Sequence, residues 1–271
     1  MELDAYRLTL RAWLESNIPT WWRGERWATP FEVAESRFAD VREWQRLLFD
    51  AGYMGLRWPR EYGGRGLSLE HELVRAEEFQ RAKAPPVANA IGLSLCAPAL
   101  LEFGTEAQKS RFLEKILSAE EIWVQGYSEP GAGSDLASLS TRAERRADAW
   151  QVNGQKIWTT NGMHGDWIFC LVRTDPAAKK HEGIGFLLID MKTPGIEVRP
   201  IVNATTDRDF CEVFFSDVRV PAENMVGAPT QGWQIANHVL RHERGADASV
   251  VRYGDMLAEI AERARCSRRG A

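Results

Sequence analysis

The chain has 271 residues, of which 44% are hydrophobic and 27% are charged, the ordinary balance of a globular protein. Its 34 basic and 38 acidic residues leave a net charge of -4, and the basic residues are scattered until the last few positions. This distribution excludes the basic patch that binds nucleic acid, so no nucleic-acid partner is expected. No apolar run reaches membrane-spanning length, so no membrane insertion is expected either.

The cysteines are widely spaced, and none forms the C-x-x-C pair of a metal or redox site: Cys96, Cys170, Cys211 and Cys266. Three of them lie among apolar neighbours, where a small buried thiol is expected. The N-terminus is acidic from its second residue and has neither a secretory nor a transit pattern. We therefore expect a cytoplasmic protein without a metal site.

Residues 1–120 have the pattern of a helical domain. Apolar residues recur at helical spacing at Phe38, Val41, Trp44, Leu47 and Leu48. Ser68 is an expected N-cap for the segment SLEHELVRAEEFQRAK. Thr105 and Gln108 have the spacing of a capping box, which predicts a helix that begins after Thr105.

Residues 121–226 change from helical to alternating periodicity, which predicts a β-sandwich or β-barrel domain. Short apolar runs such as DWIFCLVRT and IGFLLIDM have strand length. Asn153-Gly154 lies between two strand-like runs and predicts a hairpin turn there.

In residues 227–271, the third region of the chain, the pattern predicts a long amphipathic helix. Its apolar stripe comprises Ala236, Val239, Leu240, Ala246 and Val250. One helix cannot bury such a stripe alone, so we expect either a partner or the beginning of an incomplete, truncated helical bundle. The predicted fold class is therefore α+β: a helical N-terminal domain, a β-domain and the first part of a C-terminal bundle.

The segment GYSEPGAGSDLASL carries the most chemical information. Two glycines in EPGAGSD let backbone N–H groups approach an anion or the edge of a flat ring. Some twenty residues later, Trp158 offers an aromatic surface within the segment WTTN. Either piece alone is weak, since most glycine-rich turns are simple loops and most strand tryptophans are core residues.

Taken together, these motifs resemble the acyl-CoA dehydrogenase family. EPGAGSD and WTTN are preceded by WPREYGG and FGTEAQKSRFLEKI, and followed by RVPAENMVG and QGW…LRHER, in the family's order over residues 36–247. The resemblance implies a helical domain, a middle β-domain and a C-terminal four-helix bundle. It also implies FAD as the cofactor, an acyl-CoA thioester as the substrate and an electron-transfer flavoprotein as the electron acceptor.

The resemblance assigns cofactor-binding roles by position. Gln125, Tyr127 and Ser128 match the strand that meets the polar edge of the flavin ring. Gly133 and Ser134 match positions near the diphosphate, and Ser134 also near the substrate. Trp158, with its neighbours Thr159 and Thr160, matches the residues beside the isoalloxazine ring and its N5 atom.

Glu243 is the candidate general base, because it falls on the apolar face of the last long helix. Burial on that face would raise the pKa of its carboxyl towards the working pH. Without the resemblance, a helix-end acid paired with an arginine is the simpler interpretation. Arg244 resembles a residue near the substrate and subunit contact, and Asp247 is a weaker alternative base.

The implied reaction is α,β-dehydrogenation of an acyl-CoA to a trans-2-enoyl-CoA. The resemblance also implies an oligomer, either homo- or hetero-oligomeric. Two alternatives remain open at this point. The chain is a non-catalytic or truncated subunit of a hetero-oligomeric acyl-CoA dehydrogenase, or it is a flavin monooxygenase or nitroalkane oxidase of the same fold.

Overall fold

The computed structural model describes residues 2–22, 35–204, 206–245 and 249–268. In these ranges, helices precede and follow one eight-stranded sheet, so the predicted α+β class is confirmed. The helices are α1 (Leu3–Asn17), α2 (Phe38–Asp50), α3 (Leu69–Ala82), α4 (Ala97–Phe103), α5 (Glu106–Leu117), α6 (Gly232–Gly245) and α7 (Ser249–Arg268). The strands are β1 (Trp123–Gly126), β2 (Arg142–Arg146), β3 (Ala149–Thr160), β4 (Trp167–Arg173), β5 (Ile184–Asp190), β6 (Ile196–Ile201), β7 (Phe210–Pro221) and β8 (Met225–Val226).

Helix α2 buries most of its predicted apolar stripe. Val41, Trp44 and Leu48 are buried, whereas Leu47 is 39% exposed, so its prediction as a stripe residue was wrong. The residue buried in its place is Gln45, which lies one turn after Val41. Its side-chain amide donates to the Ile116 carbonyl at 3.1 Å, and this bond makes burial of a polar side chain tolerable.

The two predicted helix caps have different outcomes. The capping box of α5 is confirmed, because the Gln108 N–H donates to Thr105 Oγ1 at 3.2 Å and the Thr105 N–H donates to Gln108 Oε1 at 2.9 Å. Ser68 lies at the N-cap of α3 but its side chain makes no capping hydrogen bond. Its hydroxyl instead lies 3.0 Å from Nδ1 of His71.

The sheet has the strand order β6-β7-β3-β2-β4-β5-β8, and β1 pairs in parallel with β4. Strands β4 and β5 are buried on both faces. Ile168 and Cys170 of β4 pack into a core inside the sheet with Val152 and Val213, which come from β3 and β7. Because distant strands share that core, the sheet bends around it.

The opposite face of β4 and β5 packs against the helices. The shared core contains Phe169, Leu171, Phe186 and Leu188 of the sheet with Leu100, Phe112, Ile235 and Val239 of α4, α5 and α6. Helix α6 thus buries part of its predicted stripe, including Ala236. Ala246 and the side chain of Val250 lie outside the described residues. Helix α7 contacts α3.

The predicted hairpin turn at Asn153-Gly154 was wrong, because both residues lie inside the long strand β3. The chain reverses instead at 147–148, where Ala147 adopts a left-handed conformation with φ of 48°. Gly154 has φ of 151° at an irregularity in the pairing with β7. A β-carbon there would lie 2.6 Å from the Cα of Thr141, so the glycine permits the close approach of these two segments.

Among the described residues, no helix combines the length and the apolar character needed to cross a membrane.

A cluster of arginines around Glu78 joins α1 to α3. The side chain of Glu78 is only 2% exposed, and it accepts hydrogen bonds from Arg11 at 2.7 and 2.9 Å, from Arg81 at 2.8 Å and from Arg7 at 3.2 Å. The bond from Arg11, opposed by burial and helped by the other two, lowers the pKa of Glu78 to about 2. The carboxylate is therefore ionised and well bound at neutral pH.

We predict that Glu78→Gln lowers the free energy of unfolding at pH 7 by about 1–2 kcal/mol, after allowance for solvent screening at the half-exposed arginines. Because the pKa is lowered on folding, the wild-type contribution is full above the unfolded value near 4.5 and declines as the pH falls towards about 2. Urea unfolding from pH 7 to pH 3 measures it. Glu197→Gln, at an exposed pair with Arg199, is the control and should change little. Equal pH dependence in the wild-type and Glu78→Gln proteins would contradict the prediction.

Candidate functional site

The start of β1 is fixed to the helical layer by a buried asparagine. Asn89 Oδ1 accepts a hydrogen bond from the Trp123 N–H at 2.9 Å. The amide nitrogen of Asn89 donates to the carbonyls of Ile116 and Glu121, and its backbone N–H donates to Gln45 Oε1. Since Asn89 is only 1% exposed, these bonds form in a water-excluded region. Strand β1, which leads into the glycine turn EPGAGSD (residues 129–135), therefore begins at a defined position.

The glycine turn after β1 is closed at its base and open at its tip. Glu129 and Ala132 exchange two backbone hydrogen bonds of 3.0 Å each. A β-carbon added at Gly131 or Gly133 would have no heavy atom of the described residues within 4 Å. Ser134, the next residue, is exposed. The turn therefore leaves room for a ligand to approach the backbone at Gly133 and Ser134.

Strand β3 carries a bulge next to this turn. Its pairing with β7 shifts register between Lys156 and Thr159, and the Ile157 N–H donates instead to the Ser128 carbonyl at 2.9 Å. Trp158, inside the bulge, has φ of 61°, which is strained for a bulky side chain. The turn and the bulge, predicted as one site from separate motifs, are thus brought together by the structure.

The indole of Trp158 lies on the surface. It is 56% exposed, and its described ring contact is an edge-on packing against Phe210 with centroids 5.9 Å apart. An indole deep in the sheet would have excluded a ligand-stacking role. The observed exposure fits a planar aromatic ligand that would cover the ring.

Two polar atoms near the turn and the bulge are buried without a hydrogen-bond partner among the described residues. They are Nε2 of Gln125 on β1 and Oγ1 of Thr159 on β3. Thr159 is fully buried, and Thr160, the last residue of β3, is half-buried. Buried polar atoms nearly always have partners, so these two atoms fit a ligand with a polar edge. With the open turn and the exposed indole, these two atoms fit the FAD that the resemblance implies.

The ring of Tyr127 points into the core and not towards the surface where a ligand would bind. It is 6% exposed and packs edge-on against Phe169 and Phe186 in the core shared with the helices. Ser128, the next residue, is half-buried and uses its carbonyl to hold Ile157. Tyr127 thus fixes the start of the turn to the core, and Ser128 fixes it to the bulge of β3.

Sequence reasoning missed a buried ion pair beneath the turn. Lys156 Nζ lies 2.8 Å from Glu129 Oε1, and the side chains are 0% and 4% exposed. Burial opposes ionisation of Glu129, but the attraction of Lys156 and the hydrogen bonds to the carboxylate outweigh it and lower the pKa to about 2. The available signal was a lysine at the same inward position of an alternating strand as Val152.

The predicted general base lies on α6. The backbone of Glu243 and Arg244 belongs to the last turn of this helix, and one turn earlier Val239 is buried against the sheet. The side chains of Glu243 and Arg244, and the whole of Asp247, lie outside the described residues. Their roles stay predictions.

Comparison with protein families gives two matches. A model described as "Acyl-CoA dehydrogenase, N-terminal domain" matches residues 2–120, and one described as "Acyl-CoA dehydrogenase, middle domain" matches residues 125–218. The two matches cover most of the chain, and the second includes the glycine turn and the bulge.

Individual proteins are also similar. "Acyl-CoA dehydrogenase IpdE1" of Mycobacterium tuberculosis is 41% identical over 97% of this chain and 69% of its own length. The solved structure titled "Tcur3481-Tcur3483 steroid ACAD" has 35% identity and a TM-score of 0.81, covering 97% of this chain and 67% of that one. The ChsE4-ChsE5 complex from M. tuberculosis has 34% identity and a TM-score of 0.72, covering 89% and 59%. The chain thus spans about two thirds of the length of these relatives.

We predict that Thr159→Val keeps or raises the free energy of unfolding of the ligand-free protein, by up to about 1 kcal/mol, because an unpaired buried hydroxyl is replaced by a methyl group. Thr141→Val is the matched control, since Oγ1 of this buried threonine donates to the Gln155 carbonyl at 3.3 Å. Loss of this hydrogen bond should lower the free energy of unfolding by about 1 kcal/mol. Urea unfolding compares them, and a clear destabilisation by Thr159→Val would show that its hydroxyl has a partner within the protein.

Proposed function

The chain belongs to the acyl-CoA dehydrogenase family of flavin-dependent oxidoreductases, and on this premise we propose that it binds FAD and acts in the α,β-dehydrogenation of an acyl-CoA thioester. The product would be a trans-2-enoyl-CoA. The observation that carries the proposal is the exposed, strained Trp158 beside an open glycine turn. Near them, Nε2 of the half-buried Gln125 and Oγ1 of the buried Thr159 lack hydrogen-bond partners among the described residues.

We propose a division of labour among the residues that hold the cofactor. The backbone N–H groups of Gly133 and Ser134 would donate hydrogen bonds to the phosphates, because the space beside Gly133 is open in the described structure. The indole of Trp158 lies beside the flavin ring, and the polar atoms of Gln125, Thr159 and Thr160 face its edge. Tyr127 and Ser128 support this arrangement from the core side. When bound, the flavin supplies the acceptor for the hydride from the substrate's β-carbon.

Glu243 is our proposed general base, and its carboxylate would take the proton from the α-carbon of the thioester. Helical periodicity supports this proposal, because Glu243 follows the buried Val239 by four residues, a spacing at which two residues share a helix face. A carboxylate in an apolar setting has a raised pKa, which suits proton abstraction near neutral pH. Arg244 and Ser134 are proposed substrate contacts.

A second candidate function is that of one subunit in a hetero-oligomeric acyl-CoA dehydrogenase. Two structural relatives are titled with paired chain names, Tcur3481-Tcur3483 and ChsE4-ChsE5, and the latter is called a complex. In this version a partner chain completes the site. A homo-oligomer remains the simpler version, and the two differ in flavin content per chain when a partner is co-expressed.

The wider setting is also proposed. Electrons would pass to an electron-transfer flavoprotein, and the protein would act in the cytosol, where the buried, reduced thiols of Cys96, Cys170 and Cys211 are stable. The division into domains at 1–120, 121–226 and 227–271 is supported by the change from helices to strands between α5 and β1 and by the return to helices between β8 and α6.

Anaerobic titration tests the proposed function. The purified chain, alone and co-expressed with a neighbouring dehydrogenase subunit, is loaded with FAD and mixed with acyl-CoAs that carry straight, branched or steroid acyl groups. Loss of the flavin absorbance with one of these thioesters is the expected result. A protein that binds FAD but keeps its absorbance with every thioester contradicts the dehydrogenase assignment.

We predict that Gly133→Ala weakens FAD binding at least tenfold, about 1.4 kcal/mol, because the new methyl group would occupy ligand space. Protein stability should hardly change, since the described residues leave the position open. Gly254→Ala on α7, at another open glycine, is the control and should leave binding unaltered. Fluorescence titration measures both affinities. Unchanged affinity in Gly133→Ala would place the cofactor away from this turn.

We predict that Glu243→Gln slows flavin reduction by acyl-CoA at least about 100-fold, since the amide cannot accept the α-proton. Binding of acyl-CoA, followed by the spectral shift of the bound flavin, should remain because size and polarity are preserved. Anaerobic stopped-flow absorbance measures the rate. Reduction at a near-normal rate would assign the base to Asp247 or to a residue supplied by another chain.

A further inference from the structure

The ion pair between Lys156 and Glu129 connects the two halves of the proposed site. Glu129 is the first residue of the glycine turn EPGAGSD, and Lys156 is the last regularly paired residue of β3 before the bulge. The Lys156 ammonium also donates to the Tyr127 carbonyl at 3.1 Å. One fully buried side chain therefore contacts the segment before the turn and the turn itself.

The carboxylate of Glu129 is saturated with donors. Its Oε2 accepts from the backbone N–H and the hydroxyl of Ser140, at 2.6 and 2.8 Å. Its Oε1 accepts from the Thr141 N–H at 2.9 Å and from Lys156 Nζ at 2.8 Å. These bonds join the turn to the segment that enters β2 as well as to β3. A saturated, buried network of this kind has one geometry, because moving any member leaves another group unpaired.

The bulge depends on the same contacts. At Lys156 the strand still pairs with Val213 of β7, but the next N–H, of Ile157, turns to the Ser128 carbonyl. The positive φ of Trp158 follows one residue later. A strained backbone persists only where its surroundings fix it. The buried ammonium and the Ile157 bond are the described contacts that hold this point to residues 127–129.

Stability alone does not explain an ion pair at this place. A buried ion pair is often no more stable than apolar residues of the same volume, because desolvation of both charges offsets their attraction. What an ion pair adds is a directional geometry between the segments that carry it. Here those segments carry the indole and the open turn.

We propose that Lys156 and Glu129 are a positioning pair, which fixes the Trp158 bulge relative to the glycine turn and thereby holds the cofactor site in its binding geometry. This inference rests on the proposed flavin function. Neither residue contacts the reacting atoms in this proposal; both act through Trp158 and the turn.

The double variant Lys156→Met/Glu129→Gln tests the proposal. It removes both buried charges with little change of volume, so it avoids the unpaired charge that either single variant leaves. We expect a folded protein in which amide exchange of peptides covering 127–134 and 155–160 is at least tenfold faster. Exchange of 184–190 in β5 should be unchanged. We expect FAD to bind at least tenfold more weakly, as measured by fluorescence titration.

Arg219→Met is the matched control, because it breaks an exposed pair with Asp148 at the far end of β3 and β7. It should alter neither exchange at the site nor FAD affinity. Glu129→Asp is the second variant, in case the double variant does not fold. It keeps the charge but shortens the reach, and we expect weaker FAD binding with faster exchange at 155–160.

The results separate the two levels of inference. Wild-type affinity in either folded variant overturns the positioning role and leaves the flavin function intact. Full recovery of affinity in the double variant, relative to the single Lys156→Met, also overturns it, because charge balance alone would then suffice. A wild-type chain that leaves FAD free, alone and with a partner chain, overturns the proposed function itself and the positioning role with it.

Discussion

The hydrogen bond from the Ile157 N–H to the Ser128 carbonyl joins two segments that are almost thirty residues apart, and the candidate site is built from these segments. It diverts β3 from its partner β7 and so creates the bulge that exposes Trp158. It also anchors the chain immediately before the glycine turn. With the Lys156–Glu129 ion pair, this bond makes the indole and the turn parts of one surface feature.

Several features near the site are unfavourable for the ligand-free chain. A bulky residue adopts a positive φ, an indole is exposed, and two buried polar atoms lack partners among the described residues. Each feature costs free energy in the absence of a ligand. A flat ligand with a polar edge would offset this cost, because it would cover the indole and form hydrogen bonds with Gln125 and Thr159. The family membership and the local physical chemistry thus support the same proposal.

Local sequence signals predicted part of the fold correctly. The capping box at Thr105 and Gln108 depends on two residues three positions apart, so it could be recognised in the sequence. The turn at Ala147 could not, because a left-handed alanine has no turn signature, and Asn153-Gly154 gave a stronger but false signal. Leu47 is exposed although it was predicted in the apolar stripe, whereas Gln45 is buried because its amide donates to two buried carbonyls that only the tertiary structure provides.

The site was predictable to a similar degree. The resemblance, and not local periodicity, correctly predicted that the turn and Trp158 lie close together, while the cofactor roles assigned to these residues stay predictions. The pair of Lys156 and Glu129 was missed because its members are far apart in sequence, and a lone charged residue in a strand is usually assigned to a solvated face. Its inward position in the alternation of β3 was the sign that a partner was required.

The burial of β4 and β5 on both faces has a consequence for the unfolding of this chain. The helices provide one side of these strands and the rest of the sheet provides the other, so neither layer is complete alone. A fragment with only the helices would expose the apolar surface that normally covers Phe169 and Phe186, and a fragment with only the sheet would expose the rings themselves. Both layers should therefore melt in a single cooperative transition.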